Sequence, residues 1–395
     1  MGSDDETGGF EVETALTRLG RTPSAYSGFV NTPLFRGSTV LFPDAETLES
    51  RRVEYTYGRP SNPTTRALET ALATLEGGAK TFLTPSGLSA ISTTLLAFAE
   101  RGGHMLIADS VYYPTRRFAS RVLKRMGVDV EYYDPLAGAG IAALLRPETK
   151  LVLTESPGSQ TFEVQDIPAI CKAARGAGVP VAIDNTWGTP LYFPAFEHGV
   201  NISIQSCTKY IVGHADALLG AIICDEAAAG AVGATHEAYG LTANSEDCFL
   251  ALRGLRTLAV RLERHWRSGL EIAEWLRARP EVAQVLHPAL PGAPGHELWK
   301  RDFKGAAGLF SIILKPCSKT AVRKMLNALQ IFGMGYSWGG FESLIVPFDA
   351  APARTATAWK TEGPALRLHI GLEDVGDLKR DLERGFAALA EAAQA

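Results

Sequence analysis

VAIDNTWGTPLYFPAFEHGVNISIQSCTKY, residues 181–210, holds two short apolar runs, Val181–Ile183 and Ile202–Ile204, and each gives way at once to residues that can do chemistry. Asp184 closes the first run, and Ser206-Cys207-Thr208-Lys209-Tyr210 follows the second. Similar apolar runs lie at Thr81–Thr84, Met105–Ala108, Val128–Tyr133, Leu151–Thr154 and Leu218–Cys224. Helical stretches separate several of them. Leu68, Leu72 and Leu75 recur at helical spacing before Gly77-Gly78, a second helix runs from Ala90 to Glu100, and Ile167–Ala177 is a third. Strands alternating with helices predict an α/β fold built on a mostly parallel sheet buried on both faces.

Working outward, residues 1–60 are rich in Gly, Pro, Ser and Thr with little periodicity, and read as an extended arm that folds against something else. Residues 61–250 hold the strand–helix alternation. Past Asp247 a long helical segment with Leu250, Leu252, Leu255, Leu258 and Leu262 begins, so a smaller α+β domain is expected over 251–395, ending in a helix Leu378–Ala393.

Composition narrows the function classes. The chain has 395 residues, 46% hydrophobic and 21% charged, as expected of a soluble globular protein. A net charge of -4 gives no electrostatic reason for nucleic acid or an anionic membrane as partner. No apolar run approaches the roughly 20 residues of a membrane span. The start, Met1 to Glu6, is acidic and unlike a signal peptide. Five scattered cysteines without a C-x-x-C pair form neither a disulfide framework nor a metal site, which makes a cytoplasmic setting the expectation.

Lys209 is the first candidate for chemistry. A lysine at the end of a buried strand loses part of its affinity for a proton, and the neutral amine can form a Schiff base with a carbonyl; a surface lysine past a strand end is the alternative. Ser206 and Thr208 flank it with hydroxyls suited to a phosphate. Asp184 sits at the carboxyl end of a strand, where α/β sheets bind ligands, and equally suits a helix N-cap. Ser86-Gly87-Leu88, between a strand and a helix start, offers free backbone N–H groups and a helix dipole to an anion. In Tyr55–Pro63, Tyr57 and Arg59 alternate with small residues and could face one anion, unless the stretch is only a Pro-rich linker. Tyr112 could stack on an aromatic ring or simply pack. Arg367, in Leu366-Arg367-Leu368-His369-Ile370, suits a carboxylate or a surface ion pair.

Taken in order, YTYGRPSNPT at 55–64, SGLSAI at 86–91, DNTW at 184–187, SCTKYIVGHADA at 206–217, YSWGGFESLI at 336–345 and RLHIGLED at 367–374 resemble the cystathionine β-lyase branch of the Cys/Met-metabolism enzymes dependent on pyridoxal 5'-phosphate (PLP). The resemblance spans nearly the whole chain. It implies the PLP-dependent transferase type I fold, with a mostly parallel mixed sheet in the large domain. It also implies roles. Lys209 would carry the cofactor and move the substrate α-proton, Asp184 would pair with the pyridine nitrogen, and Tyr112 would stack on the ring and take part in catalysis. Ser86, Gly87, Leu88, Ser206 and Thr208 would hold the phosphate, with Tyr57 and Arg59 supplied by a neighbouring subunit. Arg367 would clamp the substrate carboxylate in a pocket lined by Tyr57, Tyr112, Tyr336, Ser337 and Trp338. A homotetramer with shared sites follows from the same likeness.

Two departures point to the branch. γ-Cleaving and γ-replacing relatives carry a glutamate where this chain has Tyr336, and E-T-P-x-N-P where it has Glu155-Ser156-Pro157-Gly158-Ser159-Gln160. The expected reaction is therefore α,β-elimination on a small sulfur amino acid, cystathionine first, with γ-lyase, γ-synthase or cysteine desulfhydrase activity as alternatives within the fold and a non-catalytic regulator on the same scaffold as a distant one.

Overall fold

The computed structural model describes residues 9–394, so the acidic start Met1 to Glu6 lies outside the described residues. A seven-stranded sheet is formed by β1 (Lys80–Thr84), β2 (His104–Ala108), β3 (Asp129–Tyr133), β4 (Thr149–Glu155), β5 (Val181–Asp184), β6 (Ile202–Gln205) and β7 (Gly220–Cys224). Their spatial order is β1-β7-β6-β5-β4-β2-β3. Strands β3, β2, β4, β5 and β6 pair in parallel, whereas β7 is antiparallel to both of its neighbours. β2, β6 and β7 are buried at every position, which is why they read as unbroken apolar runs rather than alternating ones. β3 lies at the edge and carries Asp129 and Glu131, both engaged by Arg146, charges that discourage pairing with another strand.

Local chemistry sets the helix ends. Asn62 caps helix Pro63–Glu76 through a reciprocal pair of bonds with Thr65, and Gly77 ends it at φ +80°. Ser86 caps Gly87–Ala97 by accepting the Ser89 N–H at 3.2 Å. That helix starts three residues earlier than the sequence suggests, because the glycine turn is itself its first turn.

A second sheet, fully antiparallel, has the order β10-β11-β9-β8, with β8 at Val282–Leu286, β9 at Leu309–Leu314, β10 at Leu344–Phe348 and β11 at Ala365–His369. Helices Lys319–Ala328 and Val375–Gln394 cover it. Helix Leu258–Arg277 joins the two cores: Leu258 and Leu262 are buried with the large sheet, Ile272 and Leu276 with the small one. The stretch expected to be one long helical segment is broken between Leu255 and Leu258 into two helices.

Residues 9–60 are not a featureless arm. They hold helices Val12–Arg18 and Ala45–Ser50 and a 3-10 turn Pro23–Tyr26. Leu16 and Leu19 enter the main core, and Arg256 donates to both of their carbonyls at 2.7 and 2.6 Å. Phe29 and Leu41 stay 73% and 87% exposed, so the arm is only half folded onto this chain. No helix among the described residues is long and apolar enough to cross a membrane.

Candidate active site

Parallel strands β2, β4, β5 and β6 end on one side of the sheet, and their last residues converge there. Asp184 closes β5. Its Oδ1 accepts the Thr186 hydroxyl at 2.6 Å and the Thr186 N–H at 3.1 Å, and the Thr186 hydroxyl oxygen accepts the Ser206 N–H at 2.9 Å. This short relay ties the end of β5 to the end of β6. Asp184 is not a helix cap: the next helix, Thr189–Tyr192, begins five residues on. Burial raises the Asp184 carboxyl above its ordinary value, against the pull of Thr186 and of the Lys209 charge. A half-buried carboxylate with one oxygen facing the open site suits a cationic or N–H partner.

Lys209 follows β6 by one turn. Its Nζ donates to Ser337 Oγ at 2.8 Å and lies 5.2 Å from the centre of the Trp338 ring. Burial lowers it to about 8, Arg367 pushes in the same direction, and Asp184 opposes them. A lysine so placed exchanges its proton near neutral pH, as a lysine that serves in both acid and base steps must.

The anion cradle is built by close approach. An atom at the Cβ position of Gly87 would lie 2.5 Å from Ser206 Oγ, so only glycine lets the helix start meet β6 here. The N–H groups of Gly87 and Leu88 open the helix and precede its first internal bond, from Ala90 to Ser86. Thr208 is also tied to the start of β7. Its hydroxyl donates to Leu219 C=O at 3.2 Å and accepts the Leu219 N–H at 2.9 Å, and the same bonds make β7 begin at Gly220 rather than Leu218.

Arg367 on β11 reaches the site from the small sheet. It is 7% exposed and forms no ion pair among the described residues; its Nη2 donates to the carbonyls of Tyr336 at 2.9 Å and Gly335 at 3.4 Å. Burial lowers it to about 10. Tyr112, half exposed, opens helix Tyr113–Phe118; burial raises its phenol, with further contributions from the nearby charges of Glu155 and Asp184 and an opposing one from Arg367. Tyr336 is 79% exposed at the mouth. Tyr57 and Arg59, by contrast, make no side-chain hydrogen bond or ion pair with any of these residues; Arg59 instead sits near His236, and its carbonyl accepts the Thr242 hydroxyl at 3.2 Å.

Two acids that sequence reasoning passed over belong to this edge. Glu155 ends β4 directly opposite Asp184 in the sheet register, and its Oε2 accepts the Tyr112 N–H at 2.7 Å. Burial, reinforced by Asp184, raises its carboxyl well above the ordinary range. Asp109 follows β2 and is buried under the segment 355–357: it accepts the Thr355 N–H at 3.0 Å, the Ala356 N–H at 3.1 Å, the Thr357 N–H and hydroxyl at 2.9 Å, and Arg116 Nη1 at 2.8 Å. The rule that singled out Asp184, an acid at the end of a parallel strand, applies equally to both.

These residues fit a phosphorylated pyridine aldehyde. A helix start and Ser206 suit the phosphate, half-buried Asp184 suits a protonated ring nitrogen, and an amine of lowered proton affinity lies within the fields of Asp184 and of Arg367, a fork suited to a carboxylate. Among the described residues no group of three or more metal-binding side chains occurs.

Comparison with known proteins covers nearly the whole chain. Residues 13–387 match the family model described as Cys/Met metabolism PLP-dependent enzyme. A Rhizobium johnstonii protein named "Putative cystathionine beta-lyase" is 51% identical over 95% of this chain and 96% of its own. "Cystathionine beta-lyase MetC" of Escherichia coli is 42% identical over 96% and 99%. A crystal structure of cystathionine gamma synthase from Xanthomonas oryzae pv. oryzae, in complex with aminoacrylate and cysteine, superposes with a TM-score of 0.88 at 32% identity, covering 96% of this chain and 99% of that one. With Lys209, Asp184 and the glycine-opened helix assembled at one sheet edge, and with likeness running the length of the chain, this protein belongs to the PLP-dependent enzymes of cysteine and methionine metabolism.

Proposed function

We propose that the chain is a carbon–sulfur β-lyase that converts L-cystathionine and water to L-homocysteine, pyruvate and ammonia. The observation that carries this reading is Lys209 Nζ, held 2.8 Å from Ser337 Oγ and within the fields of both Asp184 and Arg367. The lyase names of the two relatives above support the choice of substrate.

The geometry supports a role for each residue. Arg367 receives the substrate carboxylate, fixing Cα beside Lys209. Lys209, as a neutral amine, removes the α-proton, and its ammonium form then protonates the departing sulfur as the Cβ–S bond breaks. Ser337 holds the amine in place between the two steps. PLP supplies a ring that takes up the electron pair left at Cα. Asp184 keeps the ring nitrogen protonated, Tyr112 packs on the ring face, and Gly87, Leu88, Ser86 and Ser206 hold the phosphate.

Tyr57 and Arg59 enter this scheme from a neighbouring subunit. Their lack of contact with their own site, and the exposed apolar side chains of the arm that carries them, support a homotetramer with shared sites. We also propose a cytoplasmic location, in keeping with five unpaired cysteine thiols, and division into the arm 1–60, a cofactor domain 61–250 and a C-terminal domain 251–395, in keeping with the two cores.

Incubating the enzyme with cystathionine and identifying the products tests the reading. Homocysteine with pyruvate is expected; cysteine with 2-oxobutyrate would assign a γ-lyase instead, and turnover of cysteine alone a desulfhydrase.

A further inference from the structure

Strand β11 turns Arg367 and His369 to the same face, two residues apart. Arg367 grips the carbonyls of Gly335 and Tyr336, while His369 Nε2 lies 3.2 Å from the Gly339 nitrogen and 3.1 Å from the Gly340 carbonyl oxygen. Ser337 and Trp338, the two residues that touch Lys209 Nζ, lie between these grips. Gly339 is at φ +95°, and a Cβ there would be 2.8 Å from Lys209 Cα, so the backbone of this turn rests directly on the lysine.

His369 is itself fixed from behind. Its ring is 5.2 Å from that of His265 and 5.9 Å from that of Tyr210, and His265 Nδ1 bonds the Ile370 carbonyl at 2.8 Å. All three rings are buried. Burial holds His369 well below its ordinary value, with His265, Arg367 and Lys209 adding to the effect, so the ring is neutral. The charged groups that face Lys209 are Asp184 from β5 and Arg367 from β11, with His369 beside Arg367.

We propose that His369 is a positioning residue of the catalytic site, which holds the turn 336–340 so that Ser337 and Trp338 stay seated on Lys209. The inference rests on the reading of Lys209 as the cofactor-bearing lysine. A histidine that only filled space would be indifferent to where its polar atom lies. A positioning histidine depends on a polar atom at the Nε2 position, which glutamine reproduces and asparagine, whose amide reaches only the Nδ1 position, does not.

The test compares holoenzymes of His369→Asn and His369→Gln by pH titration of the visible absorption of lysine-bound PLP, alongside kcat and KM for cystathionine and thermal unfolding. For His369→Asn the titration midpoint is expected to move by about one pH unit, a tenfold change in proton affinity. Its kcat should fall about tenfold, the scale of one lost hydrogen bond, with KM changed less than about twofold because Arg367 is held separately. His369→Gln should retain the wild-type midpoint. Should His369→Asn fail to fold, His369→Met, of similar bulk and with no donor at that position, takes its place. Midpoints and kcat equal to wild type in the folded Asn or Met variant, or an equal displacement in the Gln variant, would overturn the proposal. The titration does not depend on the substrate chosen: a shift in His369→Asn without cystathionine cleavage would leave the positioning role standing and defeat the β-lyase reading alone.

Discussion

Lys209 feels two charges of opposite sign, and the balance is specific to this site: burial and then Arg367 favour the amine, while Asp184 favours its ammonium form. Lys209→Ala is therefore expected to lower kcat by at least about 10³-fold, within the range for loss of a positioned acid–base group. Steady-state turnover of cystathionine checks this, and full activity would refute the central assignment. Arg367→Lys keeps the charge but removes the planar fork, so KM should rise by roughly 10- to 100-fold, the scale of a lost charged hydrogen bond, with a smaller effect on kcat. The positions of Asp184, Lys209 and Gly87 were legible in the sequence because Asp184 ends a strand, Lys209 follows one by a turn, and Gly87 opens a helix. The bonds of the Thr208 hydroxyl to Leu219, eleven residues on, were not legible in the sequence, since only the fold brings the two together.

The segment between β10 and β11 is held to the large sheet by a buried carboxylate. Asp109 takes bonds from three consecutive backbone N–H groups and from Arg116, and Arg354 next to them reaches Thr161 at 2.6 Å and also pairs with Glu163. The strap thus ties β11, which carries Arg367, to the loop that carries Tyr112. Asp109→Ala would leave Arg116 buried without its partner, a change that costs about 3–5 kcal/mol. Chemical denaturation should show that loss, and hydrogen exchange should show the Thr355–Thr357 amides opening first. Stability and exchange equal to wild type would mean the strap is held elsewhere. This element was invisible to sequence reading, since 246 residues separate Asp109 from Thr355 and the strap itself has no periodicity. The strands were plain by contrast, because burial on both faces turns each into an apolar run. The small helices of residues 9–60 were missed because each is only four to seven residues long, too short to show a repeat.

For the molecule as a whole, Glu76 couples folding to pH. It is fully buried beneath the sheet, where Oε1 accepts from Asn185 at 3.0 Å and Ser203 at 2.9 Å and Oε2 from Gln205 at 3.2 Å. Burial outweighs these donors and raises it from 4.5 to about 7. A carboxyl whose value is raised on folding favours the native state when protonated. Its contribution is fully present below about 4.5 and is lost as pH rises through 7, a change on the order of 3 kcal/mol. The difference in unfolding free energy between wild type and Glu76→Gln should therefore change steadily from pH 5 to pH 8; a constant difference would show that Glu76 does not titrate there.

The sheet order has a consequence for how the chain is made. Among the described residues β1 finds its only sheet partner in β7, about 140 residues downstream, because antiparallel β7 is inserted between β1 and β6. A ribosome elongating at roughly 5–20 residues per second therefore leaves β1 without its neighbour for about 7–30 s. Throughout that interval Thr81–Thr84, which is buried in the finished sheet, waits on an open edge of the nascent chain. Synthesis of this protein is thus a race between arrival of β7 and capture of that edge by another chain, which makes the yield of native enzyme sensitive to translation rate and to chaperone supply.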